Sequence, residues 1–198
     1  MMSDLEAFLH NTDIRIPHLV RIAIAHYQFE TIHPFLDGNG RVGRLLITLY
    51  LVGNGVLDKP LLYLSDFFER HKALYYDNLT NVRTKNDLGQ WLKFFLAGVI
   101  ETAAAAAETL QKIMALKASI DGGKLLALGK RSRQGAVLLA GLFSTPVVTG
   151  NDVMSLTGLS AKAANDLLKA FVAEGMLKES TGRQRNRTYV FDDYLKLF

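Results

Sequence analysis

The chain has 198 residues, of which 49% are hydrophobic and 21% charged, ordinary values for a globular protein that exclude wholesale disorder. The sequence contains no cysteine, which excludes disulfide frameworks and thiolate zinc sites. The first residues are acidic rather than basic, and apolar runs such as Leu45 to Val52 are far too short to cross a bilayer. We therefore expect a cytoplasmic protein with no membrane partner.

The net charge of +4 is unevenly distributed along the chain. Residues 1–120 carry twelve basic and twelve acidic side chains, whereas residues 121–198 carry eleven basic and seven acidic ones. A neutral first part and a basic second part indicate two modules, the second of which faces a polyanion or simply has a solubilising surface. Charge alone leaves both interpretations open.

The first part is predicted to be helical, because apolar residues recur at three- and four-residue spacing. One helix follows Pro17, and a second ends at the Gly53-Asn54-Gly55 stop. Ser65 is the predicted N-cap of one helix that runs through Leu79, and a long helix covers about residues 87–120. We place the boundary at Asp121-Gly122-Gly123, which gives domains 1–121 and 122–198.

The second part changes character after this boundary. We predict a helix from about Arg131 to Phe143, a short helix that ends at Thr157-Gly158, and a helix that Ser160 caps. Two short alternating segments on either side of residues 181–186 then predict a β-hairpin. Helices joined by a glycine turn and followed by a β-ribbon are the order of a winged helix-turn-helix domain.

The segment His33-Pro34-Phe35-Leu36-Asp37-Gly38-Asn39-Gly40-Arg41-Val42-Gly43-Arg44 carries the chemistry. It lies between two apolar helices, and Pro34 argues against one continuous helix through it. The backbone N–H groups of Gly38, Asn39 and Gly40 can form a concave anion site at the start of the next helix. Arg41 and Arg44 share one helical face and can reach the outer phosphates of one ligand. This pattern predicts a nucleotide site.

Two further side chains in the segment suit the same site. Asp37 is a hard oxygen ligand that fits a phosphate-bound Mg²⁺. His33 carries an imidazole, which can accept a proton from an attacking hydroxyl. The sequence therefore places a base beside the predicted phosphate site.

The segment from His33 to Arg44 resembles the Fic motif, His-Pro-Phe-x-Asp/Glu-Gly-Asn-Gly/Lys-Arg-x-x-Arg, at each specified position. The resemblance extends over most of residues 3–110 and includes Leu61-Leu62-Tyr63-Leu64-Ser65 and Tyr75-Tyr76. It implies a mainly α fold, a Fic-type helical bundle, which the small winged-helix domain with its hairpin wing would follow. It also implies an enzyme that transfers AMP from ATP to a Ser, Thr or Tyr hydroxyl of a target protein.

The resemblance assigns a role to each motif residue. His33 is the catalytic base, and Asp37 holds Mg²⁺ against the α- and β-phosphates of the ATP co-substrate. The backbone of Gly38, Asn39 and Gly40 and the Asn39 side chain stabilise the charge on the phosphates. Arg41 and Arg44 hold the β- and γ-phosphates.

Two features of the family have no counterpart in this sequence. A hairpin flap that docks the target normally precedes the region that matches Ser3–Asn11, and its absence is expected to compromise activity. The inhibitory pattern Ser/Thr-x-x-x-Glu-Gly/Asn is also missing, because Glu174-Gly175 is preceded by Ala170 at the Ser/Thr position. The sequence leaves open whether the chain is a fragment, a truncated gene product or one that relies on a separate partner.

Several alternatives also stay open. The same fold can use another nucleotide donor or remove AMP, and a nucleotide-sensing DNA-binding regulator without catalysis is a third possibility. The winged helix has DNA or a protein partner, with Arg183, Arg185 and Arg187 as the predicted DNA-binding residues, or it supports a homodimer.

Overall fold

The computed structural model describes residues 1–183 and 186–198 of the chain. These residues form two compact units, Met1–Ala107 and Glu108–Phe198. The fold is mainly α, as predicted, with one small antiparallel sheet. In the two described ranges, no helix combines the length and the apolarity that crossing a membrane requires.

The first unit is built only from helices among its described elements. Their bounds are α1 Met2–His10, α2 His18–Ile32, α3 Asn39–Gly53, α4 Leu64–Arg70, α5 Lys72–Lys85 and α6 Leu88–Ser119. The division between the two units falls within α6.

The core of the first unit is rich in aromatic side chains. Trp91 on α6 is fully buried, and its indole Nε1 donates a hydrogen bond to the Ala23 carbonyl oxygen on α2 at 2.9 Å. Gly98 lies about two turns after Trp91 on α6. It allows close contact with α4, because a Cβ at this position would lie only 2.6 Å from the ring of Phe67. These contacts hold α2, which leads into the motif, and α4 against α6.

The single helix predicted from Ser65 to Leu79 is wrong, because the structure has two helices there. α4 ends at Arg70 and α5 begins at Lys72, and His71 between them has φ −111° and ψ 33°, outside the helical range. Ser65 lies inside α4 and does not cap it. Phe68 on α4 and Tyr75 on α5 are both buried in the core of the first unit, on either side of the break.

The second unit combines short helices with the sheet. A π-helical turn, Ile120–Lys124, leads into α7 Leu125–Ala127, and a 3₁₀ turn, Gly129–Arg131, leads into α8 Ser132–Leu142. The remaining elements are β1 Val147–Thr149, α9 Gly150–Thr157, α10 Ala161–Ala173, β2 Lys178–Glu179, β3 Thr188–Val190 and α11 Asp192–Leu195. The sheet order is β1-β3-β2, with Val148 and Glu179 both opposite Tyr189.

Helix caps in the second unit follow the sequence closely. Thr149 and Asp152 form a reciprocal capping box at the start of α9, and the Ser160 hydroxyl accepts from the Ala163 N–H at the start of α10. Strand β1, by contrast, was not predicted; it is three residues long and pairs with β3, which is distant in the sequence. The winged-helix assignment itself stays a prediction.

The long helix was expected to end at Asp121-Gly122-Gly123, but the backbone continues as a π-helical turn through both glycines. Buried Ile120 and Leu125 on either side of the glycine pair belong to the core of the second unit and hold this turn in place. The predicted boundary between residues 121 and 122 therefore lies inside the second compact unit, and the functional division of the chain stays a prediction.

Candidate active site

The motif residues line one side of a cleft of about 350 Å³ in the first unit. The opposite side is formed by α4 and the beginning of α5. The motif side consists of His33, Leu36, Asp37, Gly38, Asn39, Gly40, Arg41 and Arg44, and the opposite side of Phe68, Glu69, Lys72, Tyr75 and Tyr76. The structure thus brings all seven predicted motif residues to one cleft.

His33 is held at the carboxyl end of α2 in a left-handed conformation, with φ 50° and ψ 59°. Its backbone N–H donates to the Phe29 carbonyl oxygen at 3.0 Å, which closes the last turn of the helix. A residue other than glycine in this conformation stores strain of about 1–3 kcal/mol, and such residues cluster at functional sites. The strain directs the chain from α2 into the motif loop and places the imidazole at the cleft.

The Gly38–Asn39–Gly40 segment begins α3, and Gly38 adopts φ 83°, which favours glycine. Both motif guanidinium groups lie over this backbone. A Cβ on Gly38 would lie 3.4 Å from Arg41 Nη2, and a Cβ on Gly40 would lie 3.2 Å from Arg44 Nη1. Since the first N–H groups of a helix have no acceptor within it, N–H donors and guanidinium donors converge on the same anion position.

The Asn39 side chain forms hydrogen bonds within the motif loop. Its Oδ1 accepts from the Phe35 N–H at 2.9 Å, its Nδ2 donates to the Phe35 carbonyl oxygen at 2.6 Å, and the residue is only 3% exposed. These contacts hold the loop, and a role of the Asn39 side chain at the phosphates stays a prediction.

Asp37 is highly exposed, and its Oδ2 lies 3.4 Å from Arg41 Nη2. So long and exposed an ion pair is weak and does not prevent the carboxylate from binding a cation. In the described ranges no three or more His, Cys, Asp or Glu side chains are grouped as metal ligands. A single carboxylate beside a phosphate site fits Mg²⁺, which commonly takes one or two protein oxygens together with substrate phosphates and water.

A chain of buried hydrogen bonds links α2, α3 and α5 next to the motif. His26 on α2 is fully buried, and its Nδ1 donates to the Gly43 carbonyl oxygen on α3 at 3.0 Å, since a carbonyl can only accept. The Tyr75 hydroxyl on α5 donates to His26 Nε2 at 2.9 Å. Burial lowers the pKa of His26 to about 4 and raises the pKa of Tyr75, so both side chains are neutral at pH 7.

Sequence reasoning did not identify the α4–α5 side of the cleft beyond the two tyrosines. Tyr75 is buried while Tyr76 is exposed, so only Tyr76 offers a free ring face at the cleft. Glu69 and Lys72 on the same side were missed, because nothing in their local pattern distinguishes them from an ordinary solvated helix face. Glu30 was missed as well, although its Oε1 is buried with no hydrogen-bond partner among the described residues.

A second, larger groove of about 890 Å³ lies in the second unit, between the beginning of α9, the exposed face of α10 and the hairpin. Of the predicted DNA-binding arginines, Arg187 lines this groove, and its Nε donates to the Arg183 carbonyl oxygen at 2.7 Å. Arg185 lies outside the described residues. Other lining residues are Asn151, Lys162, Asn165, Asp166, Lys169 and Asn186.

Comparison with known proteins places the motif in a family. Residues 1–51 match the Fic/DOC family. "Protein adenylyltransferase Fic" of Culex quinquefasciatus is 36% identical over 95 residues, 48% of this chain and 18% of the relative. "Protein adenylyltransferase fic-1" of Caenorhabditis elegans is 34% identical over 83 residues, 41% of this chain and 16% of the relative.

A solved structure of a Fic family protein from Desulfovibrio desulfuricans G20 matches with 25% identity and a TM-score of 0.47, over 96% of this chain and 53% of that chain. The matches to the curated relatives cover less than a fifth of the length of each. The segment matched by the family includes the whole motif from His33 to Arg44. The similarity to the Fic/DOC family thus covers residues 1–51 of this chain.

Proposed function

We propose that this chain transfers AMP from ATP to a Ser, Thr or Tyr hydroxyl of a target protein, with release of pyrophosphate. The observation that carries the proposal is the convergence of one base, one carboxylate, a helix start and two guanidinium groups on a single cleft. The names of the curated relatives support the same type of reaction.

The motif residues divide the reaction among them. The target hydroxyl oxygen attacks the α-phosphorus, its proton passes to the His33 imidazole, and the bond from the α-phosphorus to the bridging oxygen of pyrophosphate breaks. The N–H groups at the start of α3 and the Arg41 and Arg44 guanidinium groups bind the negative charge that shifts to the leaving group. Phosphoryl-type transfer depends mainly on such positioning and electrostatics.

Asp37 is the residue that would hold a Mg²⁺ ion at this cleft. When bound, the ion neutralises charge on the phosphates and orients them. The carboxylate is free for this role because its contact with Arg41 is long and exposed.

The donor base is set by residues outside the motif. The segment from Asp37 to Arg44 contacts the phosphates and therefore does not distinguish ATP from UTP or GTP. The opposite reaction, removal of AMP, uses the same contacts. On the other side of the cleft, the exposed Tyr76 ring offers a surface on which a nucleobase can stack.

The proposal is tested by incubating the purified chain with ATP labelled on the α-phosphate, Mg²⁺ and a cell lysate. The wild-type chain is expected to label protein, and His33→Ala is expected to lower the rate by about 10²–10⁴-fold because the base is lost. Arg44→Ala is expected to weaken ATP binding as well as transfer. His10→Ala, an exposed histidine at the end of α1, is the matched control and is expected to behave as wild type.

A second candidate function is supported by the groove of the second unit. Its side chains include the cations Lys162, Lys169 and Arg187 and the hydrogen-bonding amides of three asparagines, against one carboxylate, Asp166. We infer that this groove binds nucleic acid, which is the basis of the alternative in which the chain is a nucleotide-sensing regulator.

This alternative makes its own prediction. Binding to duplex DNA should weaken steeply with salt, and Lys169→Ala with Arg187→Ala should reduce the slope of log K against log salt by about two. A shallow wild-type slope contradicts DNA binding and favours a protein-binding or dimer-supporting surface. Indifference of DNA binding to His33→Ala separates this function from the transfer reaction.

A further inference from the structure

The side of the active-site cleft that faces the motif carries one lysine among its lining residues. Lys72 is the first residue of α5, directly after the break at His71. The other residues on this side of the cleft are aromatic or acidic, namely Phe68, Glu69, Tyr75 and Tyr76. Any ligand phosphate that lies between the two sides therefore has the Arg41 and Arg44 guanidinium groups on one side and a single ammonium group on the other.

The ammonium group of Lys72 is available to such a ligand. Its only ion pair in the described ranges is with Glu69, at 3.4 Å, and both side chains are more than half exposed. Exposed pairs of this kind contribute little, since water screens them and two long side chains must be ordered to form them. A phosphate oxygen that is also held by the opposite side of the cleft can replace Glu69 at little cost.

The break between α4 and α5 determines where Lys72 lies. The Phe68 side chain on α4 is buried and its ring centroid lies 4.8 Å from that of Tyr75 on α5, so both helices are anchored in the core on either side of the break. Tyr75 is in turn tied through His26 to α3, the helix that carries the arginines. Lys72 is thus mounted on a rigid element at the cleft rather than on a loop.

We propose that Lys72 is a positioning residue for the nucleotide, which binds its phosphate chain from the side opposite the two motif arginines. This inference rests on the proposed function, because it concerns the same nucleotide. It adds a third cation, which lies outside the motif and 28 positions after its last arginine. Its role is to fix the phosphate chain against the start of α3.

The test compares binding of two probes, ATP and inorganic tripolyphosphate, each with Mg²⁺, by isothermal titration calorimetry. Lys72→Met keeps most of the length of the side chain and removes its charge, and it is expected to weaken both probes by about tenfold, the loss typical of one charge-assisted hydrogen bond. Lys72→Arg is expected to retain most of the affinity. Lys85→Met, at the other end of α5 and outside the cleft, is the matched control and should bind like wild type.

Unchanged ATP affinity in Lys72→Met overturns the inference. Weaker ATP binding with unchanged tripolyphosphate binding also overturns it, because Lys72 would then act on the nucleoside. If the wild-type chain binds both probes in a Lys72-dependent manner but transfers no AMP, the inference stands and the proposed function fails. If the wild-type chain binds neither probe, both fail.

Discussion

Gly43 lies at a close contact between α2 and α3, and Gly43→Ala tests that packing directly. A Cβ at this position would lie 2.4 Å from Glu30 Oε1, 3.1 Å from His26 Cε1 and 3.2 Å from Phe29 Cδ1. The Glu30 carboxylate ends a flexible side chain and can move aside, but the His26 and Phe29 side chains are buried and must shift by a few tenths of an ångström. This shift separates the two helices locally and lengthens the bond from His26 to the Gly43 carbonyl.

The expected loss of stability follows from two opposing effects. Forcing an extra methyl group into a packed interface costs about 1–3 kcal/mol. Replacing a helical glycine by alanine stabilises the helix by about 0.5–1 kcal/mol, because alanine has the higher helix propensity. We therefore expect Gly43→Ala to lower the free energy of unfolding of the first unit by about 1–2 kcal/mol and to weaken ATP binding, because α3 carries both motif arginines.

The assay is urea unfolding followed by tryptophan fluorescence. The chain has one tryptophan, Trp91, which is fully buried in the core of the first unit, so the signal reports that unit. Gly53→Ala is the matched control in the same helix, because a Cβ there meets no atom within 4 Å, and it should be neutral or slightly stabilising. A Gly43→Ala protein as stable as Gly53→Ala refutes the argument that Gly43 is required for close helix packing.

Two further predictions concern pH and helix capping. Burial lowers the pKa of His26 from 6.5 to about 4, so the unfolded chain binds more protons than the folded chain between these pH values. We expect the contribution of His26 to leave the free energy of unfolding unchanged above pH 6.5 and to lower it by about 3 kcal/mol as the pH drops to 4. His26→Gln should flatten this dependence in urea titrations, and an unchanged pH dependence contradicts the assignment. Thr149→Ala removes the capping box of α9 and should lower the stability of the second unit by about 1 kcal/mol. The loss is measured as faster amide hydrogen exchange in α9. Thr181→Ala in the hairpin is the control and should leave exchange in α9 unchanged.

Much of the first unit could be predicted from local signals. Pro17 marks the start of α2, and the glycine-rich segment at residues 53–55 marks the end of α3, because proline and glycine restrict or free the backbone directly. The motif residues were predicted to share one site, and they line one cleft because α2 and α3 are consecutive and joined by a short loop. Their roles in catalysis stay predictions.

The features that the sequence did not reveal depend on contacts between distant residues. The break at His71 lies between two helices that are both buried in one core, and no local breaker residue marks it. The π-helical turn through Gly122 is likewise held by buried neighbours against the preference of glycine to end a helix. Tertiary packing decides such positions, and single-sequence patterns do not contain it.

The opposite side of the cleft was missed for a similar reason. Lys72 and Glu69 look like surface residues of an ordinary amphipathic helix, and only the fold shows that they face His33 and Arg44. The paired tyrosines that follow were the one available signal, and the structure shows Tyr75 buried and Tyr76 exposed.

The central claim, transfer of AMP, is tested most directly by comparing two samples of ATP, one labelled on the α-phosphate and one on the γ-phosphate. Each is incubated with the wild-type chain, His33→Ala, Mg²⁺ and a cell lysate, and protein-bound label is measured after denaturing electrophoresis. We expect α-label on protein that is lost in His33→Ala, and the same γ-label in both samples, because kinases of the lysate supply it. A γ-label that depends on His33, or equal α-labelling by His33→Ala and wild type, contradicts transfer of AMP.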